Sequence, residues 1–261
     1  YVKDPQVGLH KWVVSFDLNS LYPHLIMQYN ISPETIVGMT NQSTSVDSML
    51  DEMFDTDFLK TENQTLTPNG ALFTRKKHGF LPELLFKMYN ERKVEKKKML
   101  QAQQEYENTK NPELLKKISR HGNKQMALKI ALNSAYGAIG NQYFRFYDIR
   151  IAEAVTYGGQ LSIRWIEKSL NKHLNGLLQT DNVDYVLASD TDSVYITFDT
   201  LIERLNPKDP VKFLDTICTE KLEPFIDGEY QRLAEYVNAY EQKMFMKREV
   251  IADKGIWTAK K

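Results

Sequence analysis

The chain has 261 residues, 42% of them hydrophobic, and a formal net charge of zero, a composition that supports a buried core and excludes a disordered protein. Its single cysteine, Cys218, excludes an internal disulfide and fits a reducing compartment. No apolar run approaches the roughly 20 residues of a membrane span, and the segment after Tyr1 lacks the pattern of a signal peptide. The missing initiator methionine indicates a fragment of a longer chain.

The charge is distributed unevenly along the chain. Residues 87–129 contain 12 lysines and arginines and 5 acidic residues, a local charge of +7, so the rest of the chain carries −7. This asymmetry favours one element that faces polyanions and another that concentrates carboxylates. The alternative is two helix faces that simply point into solvent.

The N-terminal part of the chain predicts a strand, a helix and a hairpin. Residues 11–16 (KWVVSF) form a short apolar, β-branched run that predicts a buried strand ending at Asp17. Residues 25–27 favour a helix. The polar, acidic segment 38–63 predicts surface elaboration, and Pro-Asn-Gly at 68–70 predicts a hairpin turn.

Two long helices are predicted next, and together they carry the positive charge. Pro82 opens a helical pattern over about 83–108, and residues 109–112 break it. A second helix runs over about 113–135, loosened near Gly122, so the pair forms an αα-hairpin. Gly137 and Gly140 are predicted to end this second helix. The elements predicted after it are a helix over 149–174, strands over 185–188 and 194–198, mainly helix over 211–240, and a last strand over 244–251.

The acidic residues form two candidate groups. Asp17 ends an apolar strand, and the turn after it can present backbone N–H groups to phosphate oxygens; the alternative is an aspartate that caps the next helix. Asp190 and Asp192 lie two residues apart in a predicted hairpin turn, where they repel each other unless a cation such as Mg²⁺ or Mn²⁺ is bound. Asp and Ser are also common in ordinary polar turns. If both groups converge on one sheet face, they form a carboxylate site for two metals roughly 3.5–4 Å apart.

The cationic residues also have a helical spacing. Lys129, Asn133 and Tyr136 follow i, i+4 and i+7 spacing and share one helix face, and Arg92 and Lys96 are four residues apart on the preceding helix. Cations from two helices suit a triphosphate, and Tyr136 would offer a ring to a base pair. The alternative for Arg92 and Lys96 is an exposed helix face.

Three motifs in order resemble those of the family B DNA polymerases, most closely the replicative enzymes of large tailed phages. Residues 17–23 (DLNSLYP) resemble motif A, residues 129–137 (KIALNSAYG) motif B and residues 190–193 (DTDS) motif C. Further matches occur at residues 30–36, 68–70, 144–148 and 257–261. The resemblance implies an α+β fold, an antiparallel-sheet palm with an inserted helical-hairpin fingers subdomain. Its expected parts are palm over 1–80, fingers over 81–137 and palm over 138–261, with the exonuclease and thumb regions absent.

The resemblance also implies site residues, cofactors and partners. Asp17, Leu18 through its carbonyl, and Asp192 would bind two Mg²⁺ ions, or Mn²⁺, with Asp190 and Glu249 nearby. Primer-template DNA and deoxynucleoside triphosphates are the expected partners, with a thumb, an exonuclease and a sliding clamp acting through other segments or chains. Phage relatives imply the cytoplasm of an infected bacterium and no membrane. The residues implied to contact the triphosphate are Ser20, Leu21, Arg92, Lys96, Lys129 and Asn133, and Lys129 would also donate a proton. Tyr22 would contact the sugar as a steric gate. The residues implied to contact DNA are Tyr136, Gly137, Thr191, Lys260 and Lys261.

Some positions depart from the family pattern, and two other functions remain open. Ala188-Ser189 stands where the family usually has Tyr-Gly, and His24 replaces the usual serine. The chain could be a nucleic-acid-binding fragment that becomes an enzyme only with a thumb-bearing partner. It could also be a two-metal nuclease, although a nuclease does not need the Lys129 and Asn133 triphosphate contacts.

Overall fold

The computed structural model describes residues 1–259. Lys260 and Lys261, expected to contact primer-template DNA, lie outside the described residues. Within residues 1–259, none of the helices combines the length and apolar composition that a transmembrane span requires. The strands are β1 (Val2–Lys3), β2 (Gly8–Leu18), β3 (Ile36–Met39), β4 (Gln64–Leu66), β5 (Ala71–Thr74), β6 (Val186–Asp190), β7 (Ser193–Thr197) and β8 (Met246–Trp257).

The helices lie between these strands in the chain. A π-helical turn, Cys218–Leu222, joins the last two of them. The helices are α1 (Leu21–Gln28), α2 (Val46–Leu50), α3 (Asp57–Glu62), α4 (Phe80–Thr109), α5 (Glu113–Ile139), α6 (Ile149–Leu178), α7 (Asp199–Leu205), α8 (Pro210–Ile217) and α9 (Glu223–Tyr236).

A five-stranded antiparallel sheet in the order β1-β6-β7-β2-β8 is the main sheet, and β3-β5-β4 form a smaller antiparallel one. β2 lies inside the main sheet, and its side chains Val14, Phe16 and Leu18 are buried. The strand was expected over 11–16 with its end at Asp17, but it begins at Gly8 and continues to Leu18, with β7 and β8 paired to it on its two sides. The combination of antiparallel sheets with long helices confirms the α+β fold class.

One central part of the core is the contact of α6 with α1. A methyl group on Gly158 would lie 3.3 Å from the Tyr29 ring, and one on Gly159 would lie 3.4 Å from Leu21. These two glycines therefore allow α6 to approach α1 closely. α1 also contacts α4 and α5, so it is packed against all three long helices.

The predicted helical hairpin is present, but α4 begins earlier and α5 ends later than predicted. α4 and α5 run antiparallel, since Glu95 pairs with His121 at 2.6 Å and Glu91 with Lys124 at 2.8 Å. α5 continues to Ile139, so Gly137 lies inside the helix and only Gly140 caps it. The expected loosening near Gly122 is absent, because that residue lies within a continuous α5.

The segment 38–63 was expected to be surface elaboration, and this was wrong in part. It contains α2 and α3, and Met49 and Leu59 are fully buried. The segment is polar overall, but its few apolar residues are placed at helical positions that face the core. The Pro-Asn-Gly turn joins β4 to β5 as predicted, with Gly70 at a positive φ of 86°.

Candidate functional site

Asp17 and Asp192 are brought together by the pairing of β2 with β7. Asp17 lies opposite Ser193 in the sheet register, directly beside Asp192. The backbone N–H of Leu18 donates to the carbonyl oxygen of Asp192 at 2.8 Å. Both aspartates therefore stand at the same end of two rigid, hydrogen-bonded strands.

The electrostatics of this end of the sheet disfavour negative charge. Burial, then the neighbouring carboxylates of Asp192 and Glu249, raise the pKa of Asp17 from 3.8 to about 6. Burial, with Asp190 and Glu249, also raises the pKa of Asp192. Within residues 1–259, none of these four carboxylates forms a salt bridge. Clustered carboxylates without a protein cation are suited to a bound metal ion.

Glu249 approaches the two aspartates because β8 is irregular at that position. Ser15 pairs with Val250 and Phe16 with Arg248, so Glu249 is the additional residue of a β-bulge. A bulge changes the direction of a side chain relative to the regular alternation of a strand. Glu249 is exposed and lies near both Asp17 and Asp192.

The β6–β7 turn is tight and supported by the chain terminus. Thr191 has a positive φ of 48°, and its N–H donates to the carbonyl oxygen of Tyr1 at 3.1 Å. Asp190 is exposed at the end of β6, while Ala188 and Ser189 before it are buried. The turn thus presents Asp190 to solvent and Asp192 towards β2.

The N-terminus of α1 follows directly after β2. Ser20 has left-handed backbone angles, φ 52° and ψ 59°, and within residues 1–259 no side chain caps the helix. The first N–H groups of a helix have no intrahelical partner and carry partial positive charge. The Leu21 N–H is one of these groups, so the turn between Asp17 and Tyr22 can accept an anionic oxygen.

Tyr22 and Tyr136 are in contact across the interface between α1 and α5. Their ring centroids are 4.7 Å apart, with 36° between the ring planes. Burial, then Tyr136 and Asp192, raise the pKa of the Tyr22 hydroxyl. Tyr22 therefore lies between the carboxylates and the motif B helix. Gly137, the next residue on α5, is exposed.

The side chains predicted to bind the triphosphate lie on two helices, α4 and α5. Arg92 is half-buried on α4, and its buried Nε donates to no acceptor within residues 1–259. Lys96 lies on an exposed face of α4, and Lys129 and Asn133 are exposed on α5. In the described part of the chain, no hydrogen bond or ion pair joins Arg92 or Lys96 to Lys129 or Asn133. Their predicted convergence on one ligand stays a prediction.

The acidic group fits a metal only if other ligands complete the coordination. No set of three or more histidine, cysteine, aspartate or glutamate side chains in residues 1–259 could hold an ion. Mg²⁺, however, is commonly held by one or two carboxylates with substrate phosphates and water as its further ligands. The paired Asp17 and Asp192, with their raised pKa values, match that pattern.

A contact that sequence reasoning missed connects this site to α4. The ring of His24 meets the ring of Tyr89 edge-on, with centroids 4.5 Å apart and an interplanar angle of 86°. His24 stood out in the sequence as a departure from the family motif, but Tyr89 was not singled out. The only signal for Tyr89 was its position three residues before Arg92 on the same predicted helix.

Comparisons with known proteins support the family resemblance. The family model described as DNA polymerase family B matches residues 1–206. The DNA-directed DNA polymerases of Escherichia phage RB69 and Enterobacteria phage T4 are 34% and 32% identical over the whole chain, which spans 35% of each relative. DNA polymerase 1 of Pyrococcus abyssi is 29% identical over 88% of the chain and 25% of that relative. The chain thus spans about a third of the length of the phage relatives that it matches.

Proposed function

The chain belongs to DNA polymerase family B, and on that premise we propose that it contains the nucleotidyl-transfer centre of a DNA-directed DNA polymerase. It would add deoxynucleotides to a primer 3′-hydroxyl on a DNA template. The carrying observation is the position of Asp17 beside Asp192 at the end of adjacent strands, at raised pKa and with no salt bridge to either carboxylate within residues 1–259. The main sheet with α6 would be the palm, over 1–80 and 138–261, and α4 with α5 the fingers, over 81–137.

Asp17 and Asp192 would hold two Mg²⁺ ions, with the Leu18 carbonyl as a further ligand. Bound there, the metals would lower the pKa of the attacking hydroxyl and neutralise charge on the leaving phosphate. The chain supplies rigidity, because β2 and β7 hold the two carboxylates in one register. Asp190 and Glu249 would act from nearby, adding negative charge that favours the bound cations.

The triphosphate would be bound by backbone and side-chain donors. The N–H groups of Ser20 and Leu21 would receive phosphate oxygens at the uncapped start of α1. Arg92 and Lys96 from α4 would approach the triphosphate, and the buried, unpartnered Nε of Arg92 supports this role. Lys129 and Asn133 from α5 would complete the set, and Lys129 would also donate a proton to the leaving pyrophosphate.

The sugar and base would lie beside the two contacting tyrosines. Tyr22 follows the proposed phosphate-binding turn and is packed against Tyr136. A rigid ring at that position would exclude a ribose 2′-hydroxyl, while Tyr136 and Gly137 would face the nascent base pair. Thr191, between the two acidic residues of the β6–β7 turn, would lie near the primer terminus.

A thumb, an exonuclease and contacts to a sliding clamp would be supplied by other segments or by another chain. By analogy with the phage relatives, the protein would act in the cytoplasm of an infected bacterium. Primer extension by the 261-residue chain, with and without a thumb-bearing partner, tests the proposal. Extension that requires Asp17 and Asp192 supports it. Degradation of the primer without any extension, in both conditions, would identify a nuclease instead.

A further inference from the structure

His24 makes a hydrogen bond that the ordinary packing of α1 does not require. Its side chain is buried, only 6% exposed, and its Nδ1 lies 2.9 Å from the Ser20 carbonyl oxygen. The backbone N–H of His24 donates to the same oxygen at 3.2 Å. Because a carbonyl oxygen only accepts, Nδ1 must carry the proton. The Ser20 carbonyl is therefore held by two donors from one residue.

The peptide unit that contains this carbonyl also contains the Leu21 N–H. Residues 1–259 contain no cis peptide bond, and in a trans peptide the C=O and N–H groups point in opposite directions. Fixing the Ser20 oxygen towards His24 therefore fixes the Leu21 N–H in the opposite direction, out of the start of α1. Ser20 itself has left-handed backbone angles, a conformation that is unfavourable for a residue with a side chain. The second hydrogen bond helps to hold this turn in place.

The other side of the His24 ring faces α4. Tyr89 contacts it edge-on, and Arg92 lies about one helical turn further along α4. Burial, with the nearby cations Lys93 and Lys243, lowers the pKa of His24, which agrees with a neutral ring. A single imidazole thus contacts the phosphate-binding turn on one side and the arginine-bearing helix on the other.

We propose that His24 is a positioning residue for the incoming nucleotide: through the Ser20 carbonyl it directs the Leu21 N–H towards the triphosphate, and through Tyr89 it aligns that donor with α4. This inference rests on the proposed function, since the triphosphate is the ligand of the Leu21 N–H. His24 does not touch the nucleotide itself. It acts through one peptide unit.

Two substitutions separate the two contacts of the ring. His24→Phe retains an aromatic ring against Tyr89 but has no donor for the Ser20 carbonyl. His24→Asn retains an N–H near the position of Nδ1 but has no ring for Tyr89. His173→Phe is the matched control, because His173 lies on α6 and stacks on Phe225 with centroids 4.0 Å apart, away from the proposed site.

The first measurement needs no catalysis. Nitrogen-15 spectra of the 261-residue chain should show His24 protonated at Nδ1, and the amide signal of Leu21 should respond to dTTP with Mg²⁺. His24→Phe should lose that response, while His24→Asn and His173→Phe should keep it. A parent protein with the proton on Nε2, or an unchanged Leu21 response in His24→Phe, would overturn the inference.

The second measurement is single-nucleotide extension under the condition in which the parent is active. His24→Phe should raise the KM for dTTP about 3- to 10-fold, the effect of one hydrogen bond, with primer-template affinity unchanged. His24→Asn should recover most of this loss. Equal losses of DNA affinity and nucleotide use would overturn the inference in favour of a general folding role. If the parent extends no primer but its Leu21 signal responds as described, the inference stands and the polymerase proposal fails.

Discussion

The backbone N–H of Leu18 donates to the carbonyl oxygen of Asp192 at 2.8 Å and joins the end of β2 to the β6–β7 turn. This hydrogen bond places the residue after Asp17 against Asp192, so the two backbone segments that carry the carboxylates cannot separate without breaking the sheet. The resulting site has negative charges held together by the backbone. Its properties lead to four predictions.

The first prediction concerns metal binding. Mg²⁺ or Mn²⁺ should raise the melting temperature of the chain, because a ligand that binds only the folded state stabilises it. Asp17→Asn and Asp192→Asn should each abolish this increase and most primer extension. Differential scanning fluorimetry over a range of metal concentrations measures the effect. Asp181 is an exposed aspartate outside the site, so Asp181→Asn should keep the metal-dependent increase in melting temperature of the parent. An equal loss of this increase in Asp181→Asn would point to non-specific ion binding.

The second prediction concerns pH in the absence of metal. The pKa of Asp17 is about 6 in the folded protein against an ordinary 3.8, so between these values the folded state binds more protons than the unfolded state. The contribution of Asp17 to stability should therefore fall as pH rises through this window and level off above it. Urea unfolding with EDTA at several pH values measures the slope. Relative to the parent, Asp17→Asn should gain stability as pH rises through this window and be more stable at pH 7, and a stability difference that does not change with pH would refute the assignment.

The third prediction concerns Lys129. Lys129→Ala should lower kcat/KM for nucleotide incorporation about 10- to 100-fold, the usual range for a hydrogen bond to a charged group. Primer-template affinity should change little, because the proposed partner is the triphosphate. Lys116→Ala, an exposed lysine near the other end of α5, is the control. Equal losses of incorporation and DNA affinity in Lys129→Ala would indicate a general phosphate contact.

The fourth prediction concerns sugar selection by Tyr22. Tyr22→Ala should admit ribonucleotides while deoxynucleotide use is largely kept, because the ring that fills the 2′-hydroxyl space is removed. The parent should discriminate by more than the roughly 10²-fold that a loose apolar pocket achieves against an added hydroxyl. Competition between dTTP and UTP in single-nucleotide extension measures the ratio. Tyr22→Phe keeps the ring and should keep the discrimination; a Tyr22→Ala variant as selective as the parent would mean that another group is the gate.

Much of the fold could be predicted from local patterns. The apolar, β-branched run of β2, the proline near the start of α4 and the helical repeat of α5 and α6 are properties of short segments, and the structure has each element within a few residues of its expected place. The errors were at ends and in polar segments. α5 passes through Gly137 and β2 through Asp17, because packing and strand pairing extend an element beyond its local signal.

The candidate residues Asp17, Lys129 and Asp192 were also identified from the sequence, because their motifs are contiguous and their chemistry is readable from residue type. The relations between them were not determined in that way. Which strand pairs with β2, and in which register, depends on hydrogen bonds between segments far apart in the chain. Only the tertiary structure put Asp192 beside Asp17 and placed Glu249 at a bulge facing both.

The contact between His24 and Tyr89 shows the same division most clearly. The sequence alone determined that a histidine stands in α1 at this position and a tyrosine in α4. Their ring contact depends on the packing of α4 against α1 and on the close approach of α6 to α1 through Gly158 and Gly159. Side-chain packing between helices is set by the whole core, so no local pattern encodes it.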